Sequence, residues 1–142
     1  MHAQNPVPTF TGAPLPWLDW AIGAAAAVGL ANAAYFIAAQ CAGNTPDRRT
    51  TCATLATRPE ARLLGVPNSI VGIAYYAAVI AASGDSRTMA WAAWLSVAAF
   101  ATSAYLAHAL LFRLRARCTS CFTAHVINGT LLLLFAVRAA VR

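Results

Sequence analysis

Four long apolar stretches alternate with short polar segments along the chain. They run roughly from Trp17 to Ala39, Val66 to Ala82, Met89 to Phe112 and Thr119 to Val137. Each is close to the ~20 residues that cross a ~30 Å hydrocarbon core as a helix. The first carries one charge, Asp19, near its start, and the second is the shortest, which calls for tilt or a thinner bilayer. The pattern predicts an all-α membrane protein, an antiparallel four-transmembrane-helix bundle with a two-cysteine loop after the first helix. Residues 1–142 are expected to form a single integral membrane domain.

The polar segments predict the connections. Residues 40–65 form the long loop, where A-G-N-T-P-D-R-R-T is turn chemistry and a helical stretch over Thr51–Leu64 is expected to lie along the interface. Ser83–Thr88 (S-G-D-S-R-T) makes a tight turn on the opposite face, and Arg113–Arg117 (R-L-R-A-R) leads into Cys118. In the first span Ala25, Gly29 and Ala33 follow the small-xxx-small spacing that lets helices approach closely, which is a packing feature. Met1–Pro16, with four prolines and no Lys or Arg, reads as an irregular tail. Without a positive n-region, and with too long an apolar span, it does not read as a cleaved signal peptide.

Composition agrees with this reading. The chain is 60% hydrophobic and 10% charged, with a mean hydropathy of +0.60. The net charge is +6, and all ten basic residues are arginine. In such a chain basicity reflects topology and lipid headgroups, which sets nucleic-acid binding aside.

The cysteines change the picture from architecture to chemistry. Cys118 and Cys121 form a C-T-S-C motif at the start of the fourth span, and Cys41 and Cys52 lie in the first loop. A loop between the first and second helices faces the same side as the entry to the fourth, so both pairs belong to one membrane face. Such an arrangement suits electron transfer between a protein dithiol and a lipid-soluble acceptor. At a helix N-terminus the dipole favours thiolate, and Arg113, Arg115 and Arg117 act in the same sense. Four cysteines allow three connectivities of two disulfides.

Helical arithmetic puts Cys118, Cys121, His125 and Asn128 within about 80° of arc, a polar stripe on an apolar helix. Polar groups at that depth face the bundle interior or a cavity. A dithiol with hydrogen-bonding side chains below it fits a quinone pocket; the competing reading is that His125 and Asn128 only join helices. In the second span Asn68, Gly72 and Tyr75 share a face within about 60°. Asn68, level with the cysteine motif, can stabilise an oxyanion on a ring or cap the helix that follows Pro67. Tyr75 and Tyr76 are read as packing.

These residues resemble the vitamin K epoxide reductase family. The family's fourth helix reads C-x-x-C-x-T-x-x-x-I-N, and this chain has C-T-S-C-F-T-A-H-V-I-N. The second helix of animal members reads N-S-I-x-G-x-x-x-Y, and here it is N-S-I-V-G-I-A-Y-Y. The resemblance implies that Cys121 attacks the quinone and Cys118 exchanges with the loop. It implies that Cys52 reaches Cys118, that Cys41 meets the partner protein, and that Asn68 binds the ring. His125 stands where animal members have a quinone-contacting tyrosine. Thr57 is one position before the place of the family's serine after the second loop cysteine, and is carried as a third quinone-binding residue.

The activity expected is therefore membrane thiol–disulfide oxidoreduction, with a quinone of the ubiquinone, menaquinone or vitamin K type as acceptor. Membrane lipid and a separate thioredoxin-like (DsbA-like) redox protein are the expected partners. The alternative within the same chemistry is vitamin K epoxide or quinone reduction proper. A different class, a structural or transport membrane protein with a four-cysteine metal site, is disfavoured by the spacing of the loop pair, and no metal site is assigned.

Topology carries a conflict. Arg48, Arg49, Arg58, Arg62, Arg113, Arg115 and Arg117 fall on the cysteine face, against Arg87, Arg138 and Arg142 on the other. The positive-inside rule puts the cysteines in the cytoplasm. Disulfide chemistry, and the resemblance, put them on the exoplasmic or lumenal side, which is the orientation adopted.

Overall fold

The structure is a computed structural model that describes residues 15–41, 59, 62–63, 65–115 and 117–141. Four helices dominate it: α1 (Pro16–Cys41), α2 (Asn68–Ala82), α3 (Ser86–His108) and α4 (Thr119–Val141). A two-stranded hairpin, β1 (Arg62–Leu63) and β2 (Val66–Pro67), precedes α2. Around the bundle, α1 packs on α2 and α4, and α3 closes the ring against α4 and, more sparsely, α2.

Among the described residues, three helical segments are long and apolar enough to cross a membrane: Pro16–Ala38, Ser86–Arg113 and Thr119–Val141. The outside of the bundle is apolar, as lipid requires. Trp17, Trp20, Trp91 and Trp94 are all exposed, Trp20 to 80%. They belong to the early turns of α1 and α3, so they gather at the end of the bundle opposite the cysteine motif. That is the position of an interfacial aromatic belt. The chain is an integral membrane protein.

Several expected boundaries move. α2 has 15 residues because Val66 and Pro67 are strand rather than helix. At ~1.5 Å per residue it is ~22 Å long, short of a ~30 Å core. The expected interfacial helix over Thr51–Leu64 is overturned at its end, where Arg62 and Leu63 are strand, while Pro59 lies in a 3-10 turn. Arg62 pairs with Pro67 and Leu63 with Val66 in antiparallel register. Gly65, at φ +85°, supplies the left-handed residue that the tight turn needs. Pro67 in turn biases Val66 to extended backbone. Residues 51–58 lie outside the described residues.

The remaining connections follow the polar pattern. Asp85 caps α3, its carboxylate accepting from the Thr88 amide at 3.1 Å and the Thr88 hydroxyl at 3.2 Å. Those bonds hold its carboxyl below the ordinary carboxylate range, the Thr88 amide contributing most. At its far end α3 runs into a π-helical turn, Ala109–Arg113, closed by a bond of 3.0 Å from the Leu114 amide to the Ala109 carbonyl. Arg115 then reverses the chain at φ 47°.

The core fills the half of the bundle away from the cysteines. Ile22, Ala26, Val79 and Leu131 are completely buried there, with Met89, Ala92 and Phe135 around them. Gly29 lies against the ring of Tyr76, and Ala33 is buried in the same cluster. The small-residue spacing in α1 thus serves close helix packing, as expected. At the end of this half Arg138 of α4 donates from Nε to Asp19 of α1 at 2.6 Å. The lone charge of the first span is thereby partnered.

Candidate functional site

The other half of the bundle, toward the cysteine motif, encloses a cavity of about 300 Å³. All four helices line it. Cys121, His125 and Asn128 face it from α4, Asn68, Gly72 and Tyr75 from α2, and Ser103 from α3. The remaining surface is mostly aliphatic, including Leu95, Leu106 and Leu110. An apolar chamber with a few convergent polar groups is the usual form of a small-molecule site.

The dithiol motif is built by the start of α4. Cys118 immediately precedes the helix, and its carbonyl accepts the first helical bond, from the Phe122 amide at 3.0 Å. Its sulfur accepts from the Cys121 amide at 3.4 Å, so Cys118 acts as the N-cap. Cys118 is fully buried beside Leu110, Phe36 and Phe122. It is disulfide-bonded, while Cys121 is a free thiol. The motif is therefore not closed on itself, and the sulfur bonded to Cys118 lies outside the described side chains. Arg113, Arg115 and Arg117 are exposed around the entry to the helix.

The polar stripe divides into two functions. Asn128 is committed to helix joining: its Oδ1 accepts from the Tyr76 hydroxyl at 2.8 Å, and its Nδ2 donates to Ser103 Oγ at 2.6 Å. His125 is not. Its Nδ1 is buried and has no hydrogen-bond partner among the described residues. Its ring meets Phe122 edge-on, with centroids 6.5 Å apart. At this point of the cavity wall the His125 ring thus has hydrogen-bonding capacity that no described residue uses.

Asn68 is also uncommitted. It is the first residue of α2, where Pro67 holds the N-cap position and no side-chain cap bond forms. The expectation that Asn68 caps the helix is overturned: Pro67 takes that position, and the Asn68 side chain bonds none of the first-turn amides. Its side chain lines the cavity and makes no hydrogen bond to any described residue. Tyr75 lines the cavity too, sharing a 2.7 Å hydrogen bond with Ser96 of α3. Tyr75 and Tyr76 thus tie α2 to α3 and α4, in keeping with a packing role.

Of the residues singled out from sequence, Cys121, Asn68 and His125 meet at one cavity and Cys118 adjoins it. Cys41 ends α1, but its side chain, together with Cys52 and Thr57, lies outside the described residues. Among the described residues, no three His, Cys, Asp or Glu side chains gather as metal ligands.

One member of the cavity wall was missed. Asn32 of α1 forms a closed pair of bonds with Ser120, the third residue of C-T-S-C. Its Nδ2 donates to the Ser120 carbonyl at 3.1 Å, and its Oδ1 accepts from the Ser120 hydroxyl at 3.0 Å. An amide in the middle of an apolar span was the available signal, because polar groups at membrane depth need partners.

A membrane helix bundle with a C-x-x-C motif beside an apolar chamber, one cysteine disulfide-bonded and the other a free thiol at the chamber wall, defines a class, the membrane oxidoreductases. The chain belongs to the vitamin K epoxide reductase family: the profile of that family matches residues 20–136. The match covers α2 and α3 in full, most of α1 and α4, and every residue that lines the cavity. A comparison with curated individual proteins finds no match. Enzymes of this family act on quinones.

Proposed function

We propose that this chain is a quinone-dependent thiol–disulfide oxidoreductase, a single integral membrane domain over residues 1–142 with four spans. A thioredoxin-like (DsbA-like) redox protein supplies electrons to Cys41–Cys52, which pass to Cys118–Cys121 and then to a quinone of the ubiquinone, menaquinone or vitamin K type. Attack of the Cys52 thiolate on Cys118 of a Cys118–Cys121 disulfide forms the Cys52–Cys118 bond and releases Cys121 as thiolate. Attack of Cys41 on Cys52 then frees Cys118. The two thiols of the motif give two electrons and two protons to the quinone and close again as a disulfide. Net, the partner gains a disulfide and the membrane gains a quinol.

The observation that carries this reading is the asymmetry of the motif. Cys121 is a free thiol at the wall of an apolar cavity, while Cys118 is bonded outside the motif. That is the state expected after the first exchange. Asn68 and His125 supply the polar ends of the quinone site, since both face the cavity side of the bundle with hydrogen-bonding capacity unused. Thr57 is the third group proposed to bind the quinone, on the family resemblance alone.

The test is dithiothreitol-driven quinone reduction by purified protein. Cys121→Ala and Cys118→Ala should each abolish it, and wild-type activity in Cys121→Ala would overturn the mechanism. The same assay with ubiquinone, menaquinone, vitamin K and its epoxide separates disulfide generation from vitamin K reduction proper, which would use the same groups. The cysteine face is assigned to the exoplasmic or lumenal side, where disulfides persist. Reporters at Thr50 and Asp85 test it, and a cytoplasmic signal at Thr50 would reverse the assignment.

A further inference from the structure

The first turn of α4 has a demanding task if Cys118 and Cys121 are the redox pair. A helix N-terminus leaves four amide groups without intrahelical partners and frays readily. Here one of those amides, that of Cys121, bonds the Cys118 sulfur. The sulfur that caps the turn must therefore change covalent partners during turnover. Whatever keeps Cys121 at the cavity wall has to act independently of the Cys118 sulfur.

Asn32 is placed to do this. Its two bonds go to Ser120, immediately before Cys121, and they close a ring between two residues. A carbonyl can only accept, so the Ser120 carbonyl fixes Nδ2 toward itself and leaves Oδ1 for the Ser120 hydroxyl. Two antiparallel bonds set the roll of the turn as well as its distance from α1, which one bond would not. Thr119, the other residue inside the motif, is exposed. Asn32 and Ser120 both line the cavity with Cys121. The helix that supplies Asn32 runs on to Cys41, two and a half turns and ~13 Å further.

We infer that Asn32 is a positioning residue: through Ser120 it holds the first turn of α4 so that the Cys121 sulfur stays in the cavity while Cys118 exchanges. The inference rests on the redox role proposed above for Cys118 and Cys121.

The test is a double-mutant cycle of Asn32→Ala and Ser120→Ala, with Ser120→Thr as the conservative variant and Cys121→Ala as the control for the underlying role. Quinone reduction driven by dithiothreitol is resolved into kcat and KM. Misplacing a nucleophile by an ångström costs up to ~100-fold, so Asn32→Ala should lower kcat by about tenfold or more, with KM for quinone unchanged. Ser120→Ala, which keeps the carbonyl bond, should lose less. The double variant should be no worse than Asn32→Ala, and Ser120→Thr should stay near wild type. Wild-type kcat in Asn32→Ala overturns the inference. A rise in KM alone makes Asn32 a ligand contact and also overturns it, as do losses that multiply in the double variant. Should Asn32→Ala fail to fold, equal activity of Ser120→Ala and Ser120→Thr decides against it. Activity retained in Cys121→Ala would instead remove the redox role on which the inference stands.

Discussion

A β-carbon on Gly29 would lie 2.5 Å from Cε1 of the Tyr76 ring and 2.6 Å from its Cζ. The ring is only 2% exposed, and its hydroxyl is held by Asn128. It therefore has nowhere to go. Helix propensity alone favours Gly29→Ala by ~1 kcal/mol, whereas overpacking a filled core costs ~1–3 kcal/mol. Gly29→Ala should be destabilising, with a lower melting temperature in detergent. Tyr76→Phe, which only removes the hydroxyl, should cost less, ~0.5–1.5 kcal/mol. A melting temperature unchanged or raised in Gly29→Ala would show that α1 and α2 can separate freely.

Exchange between loop and motif has a covalent signature. With Cys41 and Cys121 replaced by Ala, only Cys52 and Cys118 remain. Mass spectrometry of the unreduced variant should find a peptide joining residues 52 and 118, and two free thiols under oxidising conditions would count against the proposed route. Cys41→Ala alone should lose more activity with a protein reductant than with dithiothreitol, because a small thiol can bypass the loop.

The α2–α3 turn gives a pH test away from the membrane interior. Hydrogen bonds to Asp85, that of the Thr88 amide foremost, lower its carboxyl pKa in the folded state. A depressed folded pKa stabilises above the unfolded pKa, and the contribution is lost as pH falls through the folded value. The advantage of wild type over Asp85→Ala in melting temperature should be full near neutrality. It should shrink on acidification below the ordinary carboxylate range. Salt should change it little, since the bonds are local rather than long-range. An advantage that is flat with pH would assign the cap to geometry alone.

How much of this could be read from the chain depends on the range of the physics. Apolar runs mark the helices because lipid selects composition over a whole span, and the expected spans and observed helices differ by a few residues at their ends. The close contact at Gly29 was likewise legible, because small-xxx-small spacing is a local pattern. The hairpin at Arg62–Pro67 was not read, because two-residue strands have no periodicity. Only Gly65 and Pro67 announced it. Within the site, helical arithmetic found the stripe of Cys121, His125 and Asn128 but could not tell the free ring from the committed amide. That distinction depends on Tyr76 and Ser103, which come from other helices. Asn32 could be flagged as an amide inside an apolar span, but its partner could not be read, since Ser120 lies 88 residues away.

Asn68 and His125 offer the sharpest test of the cavity. Losing one hydrogen bond to a developing oxyanion costs ~2.7–4 kcal/mol in the transition state, a fall of ~100-fold or more. Asn68→Ala should therefore lower kcat by that order. Its melting temperature should hold, because Asn68 neither caps α2 nor bonds any described residue. For His125 the comparison is between two aromatic replacements. If the ring donates to a quinone carbonyl, His125→Tyr keeps a donor at the cavity wall and should retain much of the activity. His125→Phe keeps the bulk and the edge contact with Phe122 but has no donor, so it should lose activity. Equal activity in the two variants, with normal thermal stability, would reassign His125 to packing and leave Asn68 as the polar end of the site.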